Sequence, residues 1–204
     1  MLRKIATSAL LSFVLIGAAF AADPAINQAA PTFVGQTADG KTVDLASLKG
    51  KTVVLEWTNH QCPFVIKHYD RSSNIPKLQK EATADGVVWL QVISSAPGTE
   101  GYVDGATAIK ANQFRNAAPT NTILDPEGTL GHLYGAKTTP HIFIINPKGE
   151  LVYKGGIDSI KSAKAEDIPQ ATNYVREALT ALKQGKEIPN PVTAPYGCAV
   201  KYAG

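Results

Sequence analysis

An α/β sandwich built on a mixed central β-sheet is the fold class the sequence predicts, and three observations predict it. Three β-branched apolar segments, at residues 51–58, 86–94 and 121–124, alternate with helical stretches, the pattern of a parallel sheet centre. Two later apolar runs, 141–146 and 150–154, flank Pro147-Lys148-Gly149 and add an antiparallel hairpin. The composition, 44% hydrophobic and 18% charged over 204 residues, is that of a globular chain with one sizeable core.

Each element has its own local reason. Arg3 and Lys4 precede an apolar run from Ile5 to Phe20, and Ala19-Phe20-Ala21 is a small-x-small cleavage site, so residues 1–21 read as a secretory signal peptide. The run is short for a bilayer span of roughly 20 residues, and no stable membrane anchor is expected after cleavage. Phe33 to Asp44 turns at Asp39-Gly40 and forms an N-terminal β-hairpin extension. Residues 45–50 make one helical turn ended by Gly50, and residues 51–58 (KTVVLEWT) make a strand dense enough to be buried on both faces. Cys62-Pro63 opens a helix running to about Ala84. A second buried strand follows at 86–94, then a helix from Asp104-Gly105 to about Asn116 with Ile109, Gln113 and Phe114 on one face. A short strand at 121–124 and a helix at 127–134, closed by Gly135, lead to the hairpin. Residues 171–184 form an amphipathic helix with Tyr174, Val175, Ala178, Leu179 and Leu182 inward. Residues 188–204 are a proline-punctuated tail carrying Cys198.

Charge excludes some functions. The chain carries 20 basic and 17 acidic residues, and the leader holds two of the basic ones, which leaves a near-neutral mature chain with no footprint for nucleic acid or anionic membranes. Export would place the protein in a periplasmic or extracellular compartment, where its two cysteines are either a bridge or a working pair.

Cys62 ends the loop Asn59-His60-Gln61 after a buried strand, and Pro63 suits the first position of a helix. At a helix N-terminus the unpaired backbone donors and the dipole favour a thiolate, which is the nucleophilic form of cysteine. Junctions of this kind, at the C-terminal edge of parallel strands, are where α/β proteins place sites. Thr138-Thr139-Pro140-His141 precedes a buried strand, where proline is tolerated at the first residue. Lys67, His68, Arg71, Lys77 and Lys80 read as a solvated basic helix face, with His68 on the solvent side or making a cap. Arg115 reads as a surface residue, and Trp57 as a core residue beside the cysteine loop.

Together these segments carry a resemblance. The run Trp57-Thr58-Asn59-His60-Gln61-Cys62-Pro63-Phe64-Val65 is similar to the active-site turn of thioredoxin-fold redoxins, the alkyl hydroperoxide reductase and thiol-specific antioxidant superfamily. One subgroup has an Asn-His-Cys-Pro-Tyr-Val-like turn there; this chain inserts Gln61 and has Phe64 for Tyr. Residues 139–149 with 152–158 resemble the fold's cis-proline strand and following hairpin, and Tyr196-Gly197-Cys198-Ala199-Val200-Lys201-Tyr202 resembles the subgroup's Gly-Cys tail. The resemblance implies a thioredoxin-like sandwich over residues 22–187 and a thiol-dependent oxidoreductase. Three departures stand out: Val65 occupies the place of the second Cys in Cys-x-x-Cys, Asn59 and Leu55 replace the usual peroxiredoxin Thr or Ser and Pro, and Thr138 replaces a subgroup Cys.

The resulting expectation is an exported thiol–disulfide oxidoreductase or peroxiredoxin-like peroxidase. Cys62 is its nucleophile and Cys198 its resolving cysteine, with Thr139, Pro140, Asn59 and Trp57 orienting the substrate. A thiol or disulfide protein would supply or accept electrons, and a hydroperoxide is a second substrate class; no cofactor and no metal is expected. Two alternatives stand beside it. One is a non-catalytic module stapled by a Cys62–Cys198 bridge. The other is a copper carrier using His60, Cys62 and His141, although the only methionine is Met1.

Overall fold

The structure, a computed structural model, describes residues 23–203. The leader at 1–21 lies outside the described residues. Among those described, no helix is long and apolar enough to cross a membrane.

Among the described residues nine strands and five α-helices follow in chain order: β1 Val34–Thr37, β2 Thr42–Asp44, β3 Val53–Trp57, α1 Pro63–Tyr69, α2 Asn74–Ala84, β4 Val88–Ile93, α3 Gly105–Phe114, β5 Asn121–Leu124, α4 Thr129–Tyr134, β6 Thr138–Thr139, β7 His141–Ile145, β8 Leu151–Gly155, α5 Tyr174–Lys183 and β9 Cys198–Ala199. Seven strands form one sheet in the order β2-β1-β5-β4-β3-β7-β8. Its centre is parallel (β3 with β4, β4 with β5), and its flanks are antiparallel. This is the mixed sheet expected from the alternation of elements. The N-terminal hairpin is part of it, because β1 pairs with β5. Strands β6 and β9 pair separately, with Thr139 opposite Cys198.

Alternation along β3 divides the core. Val54 turns to a face covered by Tyr69, Ile75, Leu78, Val175 and Ala178 from α1, α2 and α5. Val53, Leu55 and Trp57 turn to the other face, with Phe143, Tyr134 and Leu130. The outer edge of β8 is overlaid by the tail: Lys154 N–H donates to the Pro191 carbonyl at 3.0 Å and Thr193 N–H to the Lys154 carbonyl at 3.1 Å.

One helical expectation needs correction. The helix expected from Cys62 to Ala84 is two helices, broken where Ser73 takes a left-handed conformation (φ 53°). Ser72 Oγ donates to the Lys67 carbonyl, and Pro76 falls in the first turn of α2, where its missing N–H leaves no helical bond unmade. In α3 the face that carries Ile109, Gln113 and Phe114 is the outer one: Ile109 is 38% and Phe114 86% exposed. The sheet beneath α3 presents Gln91 and Thr122, so the helix turns Ala108 and Asn112 toward it, and Asn112 Nδ2 donates to both at 2.8 and 3.0 Å.

The first face also buries Glu56, which accepts hydrogen bonds from Tyr69 Oη, Gln79 Nε2 and Trp89 Nε1 at 2.6 to 3.1 Å. Burial lifts its carboxyl from the ordinary 4.5 to about 7, against the opposing pull of those donors. A carboxyl raised in the folded state contributes stability that is complete below the ordinary value and lost as pH rises through the folded one. The unfolding free energy of wild type minus that of Glu56→Gln is therefore expected to fall by about 3 kcal/mol between pH 4 and 8, measured by urea denaturation.

Candidate active site

Cys62 is the N-cap of α1, with Pro63 at the first helical position as expected. The preceding loop is held at each residue. Asn59 carbonyl oxygen accepts from Cys62 N–H at 3.1 Å, and Asn59 Oδ1 accepts from Gln61 N–H at 2.9 Å. Asn59 Nδ2 donates to Glu100 Oε1 at 3.2 Å, and Gly101 lies so close that a Cβ there would sit 2.4 Å from the Asn59 amide. Arg115 donates to the His60 carbonyl at 2.6 Å and pairs with Asp70 at 3.0 Å. Arg115 is thus no free surface residue, because its guanidinium ties the cysteine loop to the end of α1.

The Cys62 side chain is fully buried, and its Sγ donates to the Thr139 carbonyl at 3.2 Å. The Thr139–Pro140 bond is cis. On the far side of Thr139 lies the tail: Thr139 Oγ1 donates to the Cys198 carbonyl at 3.5 Å, through the β6–β9 pair. Both cysteines are free thiols, and Cys198, opposite Thr139 in the β6–β9 pair, packs against the core cluster that contains Cys62. Burial first, and then the neighbouring Cys62, push the Cys198 thiol up to about 12. The proton therefore stays on Cys198 at neutral pH. Two cysteines far apart in sequence are brought to either side of Thr139 by a two-residue backbone pairing.

Of the other expected site residues, Thr139, Pro140 and Asn59 surround Cys62. Trp57 does not. It lies in the core of the opposite face, between Tyr134 and Phe143, and its Nε1 donates to Ser94 Oγ at 3.0 Å. The two-residue period of β3 sends it there, so it supports the strand and lines no substrate surface. His60 and His141 are not joined in a ligand set: among the described residues no three His, Cys, Asp or Glu side chains gather as metal ligands do. His141 Nδ1 accepts from Lys137 N–H, and burial lowers its pKa to about 3.

The basic face expected on the first helix needs the largest correction. Lys67 and His68 are fully buried, beneath the tail. Lys67 Nζ donates to the Ile160 carbonyl at 3.3 Å and lies 3.6 Å from Asp158 Oδ2. Burial, reinforced by the Lys67 charge, lowers His68 to about 3, so its ring is neutral. With the proton on Nε2 the ring accepts from Asn74 Nδ2 at 2.9 Å and donates to Tyr196 Oη at 3.2 Å, while Tyr196 Oη donates to Asp158 Oδ1. Sequence reading missed this cluster because Asp158, after β8, and Tyr196, in the tail, are distant from α1 along the chain. The one hint is that an apolar run leads into Asp158 and that Tyr196 stands two residues before Cys198.

The chain is similar to proteins of known sequence and structure. The thiol-disulfide oxidoreductase ResA of Bacillus subtilis (strain 168) is 27% identical over 146 residues, 70% of this chain and 74% of that protein. An uncharacterized conserved protein from Geobacillus kaustophilus superposes with a TM-score of 0.73 at 22% identity, over 88% of this chain and 93% of that one. A chain from Chlorobium tepidum assigned as the thiol:disulfide interchange protein DsbE has a TM-score of 0.51 at 23% identity, over 64% and 84%. The fold is thioredoxin-like. The AhpC/TSA family model matches residues 26–154, from ahead of β1 nearly to the end of β8, with Cys62 and Pro140 inside the match and Cys198 beyond it. The chain is a member of the AhpC/TSA family.

Proposed function

We propose that the protein is an exported thiol–disulfide oxidoreductase whose working pair is Cys62 and Cys198. The observation that carries this reading is the β6–β9 pairing, which sets Cys198 opposite Thr139, the residue whose carbonyl accepts from Cys62 Sγ at 3.2 Å. Starting from the dithiol, Cys62 thiolate attacks one sulfur of a partner's disulfide. A Cys62–partner bond forms, and the partner's other sulfur leaves as a thiolate. That thiolate takes the Cys198 proton, and Cys198 then attacks the Cys62 sulfur and expels the partner's second thiolate. The partner gains two electrons and the chain holds a Cys62–Cys198 disulfide; the reverse sequence oxidises a dithiol partner. Thr139 and Pro140 flank the sulfur under attack, and Asn59 holds its loop. The likeness to ResA supports exchange as the chemistry.

A hydroperoxide could enter the same pair, with Cys62 oxidised to a sulfenic acid that condenses with Cys198 and releases water. Against this stands Arg115, whose guanidinium is engaged by the His60 carbonyl and Asp70 and is not directed to the sulfur. The apolar leader and the durability of a disulfide outside the cytoplasm support export.

Equilibration in glutathione buffers tests the proposal. The wild-type protein is expected to form the internal disulfide with a potential above about −300 mV, and Cys198→Ser to accumulate a glutathione adduct on Cys62 instead. A potential below about −300 mV, or no internal disulfide at any poise, would reduce the pair to a staple or to bystanders.

A further inference from the structure

The thiol that attacks a partner is fully buried, and the tail contributes Tyr196 and Cys198 to the cluster it is buried in. Around Cys198 the tail is fastened at several points. Thr193 Oγ1 accepts from Gly156 N–H at 3.0 Å, Val200 N–H donates to the Lys137 carbonyl at 3.1 Å, and Tyr202 Oη donates to the Ala136 carbonyl at 2.7 Å. Most of these are neutral bonds at the rim. Tyr196 is different: it enters a buried ionic cluster built largely by α1, the helix that Cys62 begins. Its ring meets Phe64 edge-on at 5.8 Å, Lys67 Nζ lies 5.7 Å from the ring centre, and its hydroxyl bridges His68 and the Asp158 carboxylate. Asp158 Oδ2 has no hydrogen-bond partner among the described residues, so that carboxylate relies on Tyr196 Oη, Ile160 N–H and the nearby Lys67 charge. Gly197 joins latch to thiol with φ 133° and passes so close to Thr139 that a Cβ would lie 2.0 Å from its carbonyl oxygen.

We propose that Tyr196 is a positioning residue, the latch of a tail lid: seated on Asp158, His68 and Lys67, it holds Cys198 on Cys62 and keeps Cys62 covered until a partner displaces the tail. This deepens the exchange reading and rests on Cys62 being the reacting sulfur. Helix α1 then fixes both halves of the site, the nucleophile at its first turn and the resolving thiol through its later residues. Removing the Tyr196 hydroxyl takes two hydrogen bonds from the closed state, the charge-assisted one to Asp158 and the one from His68, and neither from the open one, so the open population rises in proportion.

The test is the rate at which iodoacetamide labels Cys62 in the reduced full chain, followed residue by residue by mass spectrometry at low urea concentrations. Tyr196→Phe, which keeps the ring, is expected to speed labelling roughly 10- to 100-fold, with a rate nearly independent of urea, as local release of the tail requires. Wild-type labelling in folded Tyr196→Phe, or acceleration that appears only as urea unfolds the whole chain, would each overturn the latch. None of these readouts requires an internal disulfide, so the latch and the exchange chemistry can fail separately.

Discussion

Replacing Cys62 by Ser is expected to slow reaction of the reduced protein with a small aromatic disulfide at least about a thousandfold, followed by the absorbance of the released thiolate. A serine hydroxyl does not ionise at neutral pH, so the first attack is lost. Cys198 cannot take over. Its thiol is pushed up to about 12, first by burial, which the Cys62→Ser change leaves in place. A thiol raised in this way is thiolate in a smaller fraction at neutral pH than an ordinary cysteine. If Cys62→Ser reacts as fast as wild type, the nucleophile has been misassigned.

Replacing Lys67 by Ala is expected to give the largest loss of stability, about 3–5 kcal/mol, with a fall in Tm of roughly 10 °C. Lys67 and Asp158 are both fully buried and 3.6 Å apart, and Asp158 Oδ2 has no hydrogen bond to fall back on. Removing the cation leaves a carboxylate out of water without its countercharge, which costs far more than the pair itself contributes. The double change Lys67→Met with Asp158→Asn removes both charges and keeps an acceptor for Tyr196 Oη, so it should recover most of the loss. Thermal denaturation of the two variants checks this; equal destabilisation would mean that Lys67 acts through packing alone.

What the sequence revealed depended on how local the cause was. Strands β3 and β4 were legible because unbroken apolar, β-branched runs have no other use in a short segment, and the turns at Asp39-Gly40 and Pro147-Lys148-Gly149 set the hairpins. The Cys62-Pro63 junction was legible for the same reason: the proline's lost donor is a helix-start signal within two residues. The break between α1 and α2 was written in Ser72, Ser73 and Pro76, but it competed with a helical pattern continuing on both sides. The orientation of α3 was not legible because its sheet-facing partners, Gln91 and Thr122, are polar, so no apolar face marks the side turned inward. Lys67 and His68 show the same limit more sharply. Nothing near them on the chain reveals that Asp158 and Tyr196 arrive from elsewhere, and a buried lysine looks like a surface one until its partner is known.

The tail's course along β8 bears on how copies of the chain behave toward each other. A seven-stranded open sheet has two margins, and each invites another chain to add a strand. At one margin β2 is only three residues long. At the other, backbone groups of Lys154 are already taken by Pro191 and Thr193. Solubility is thereby coupled to redox handling: whatever peels residues 191–193 away along with Cys198 bares an unpaired strand, and prolonged opening invites self-association.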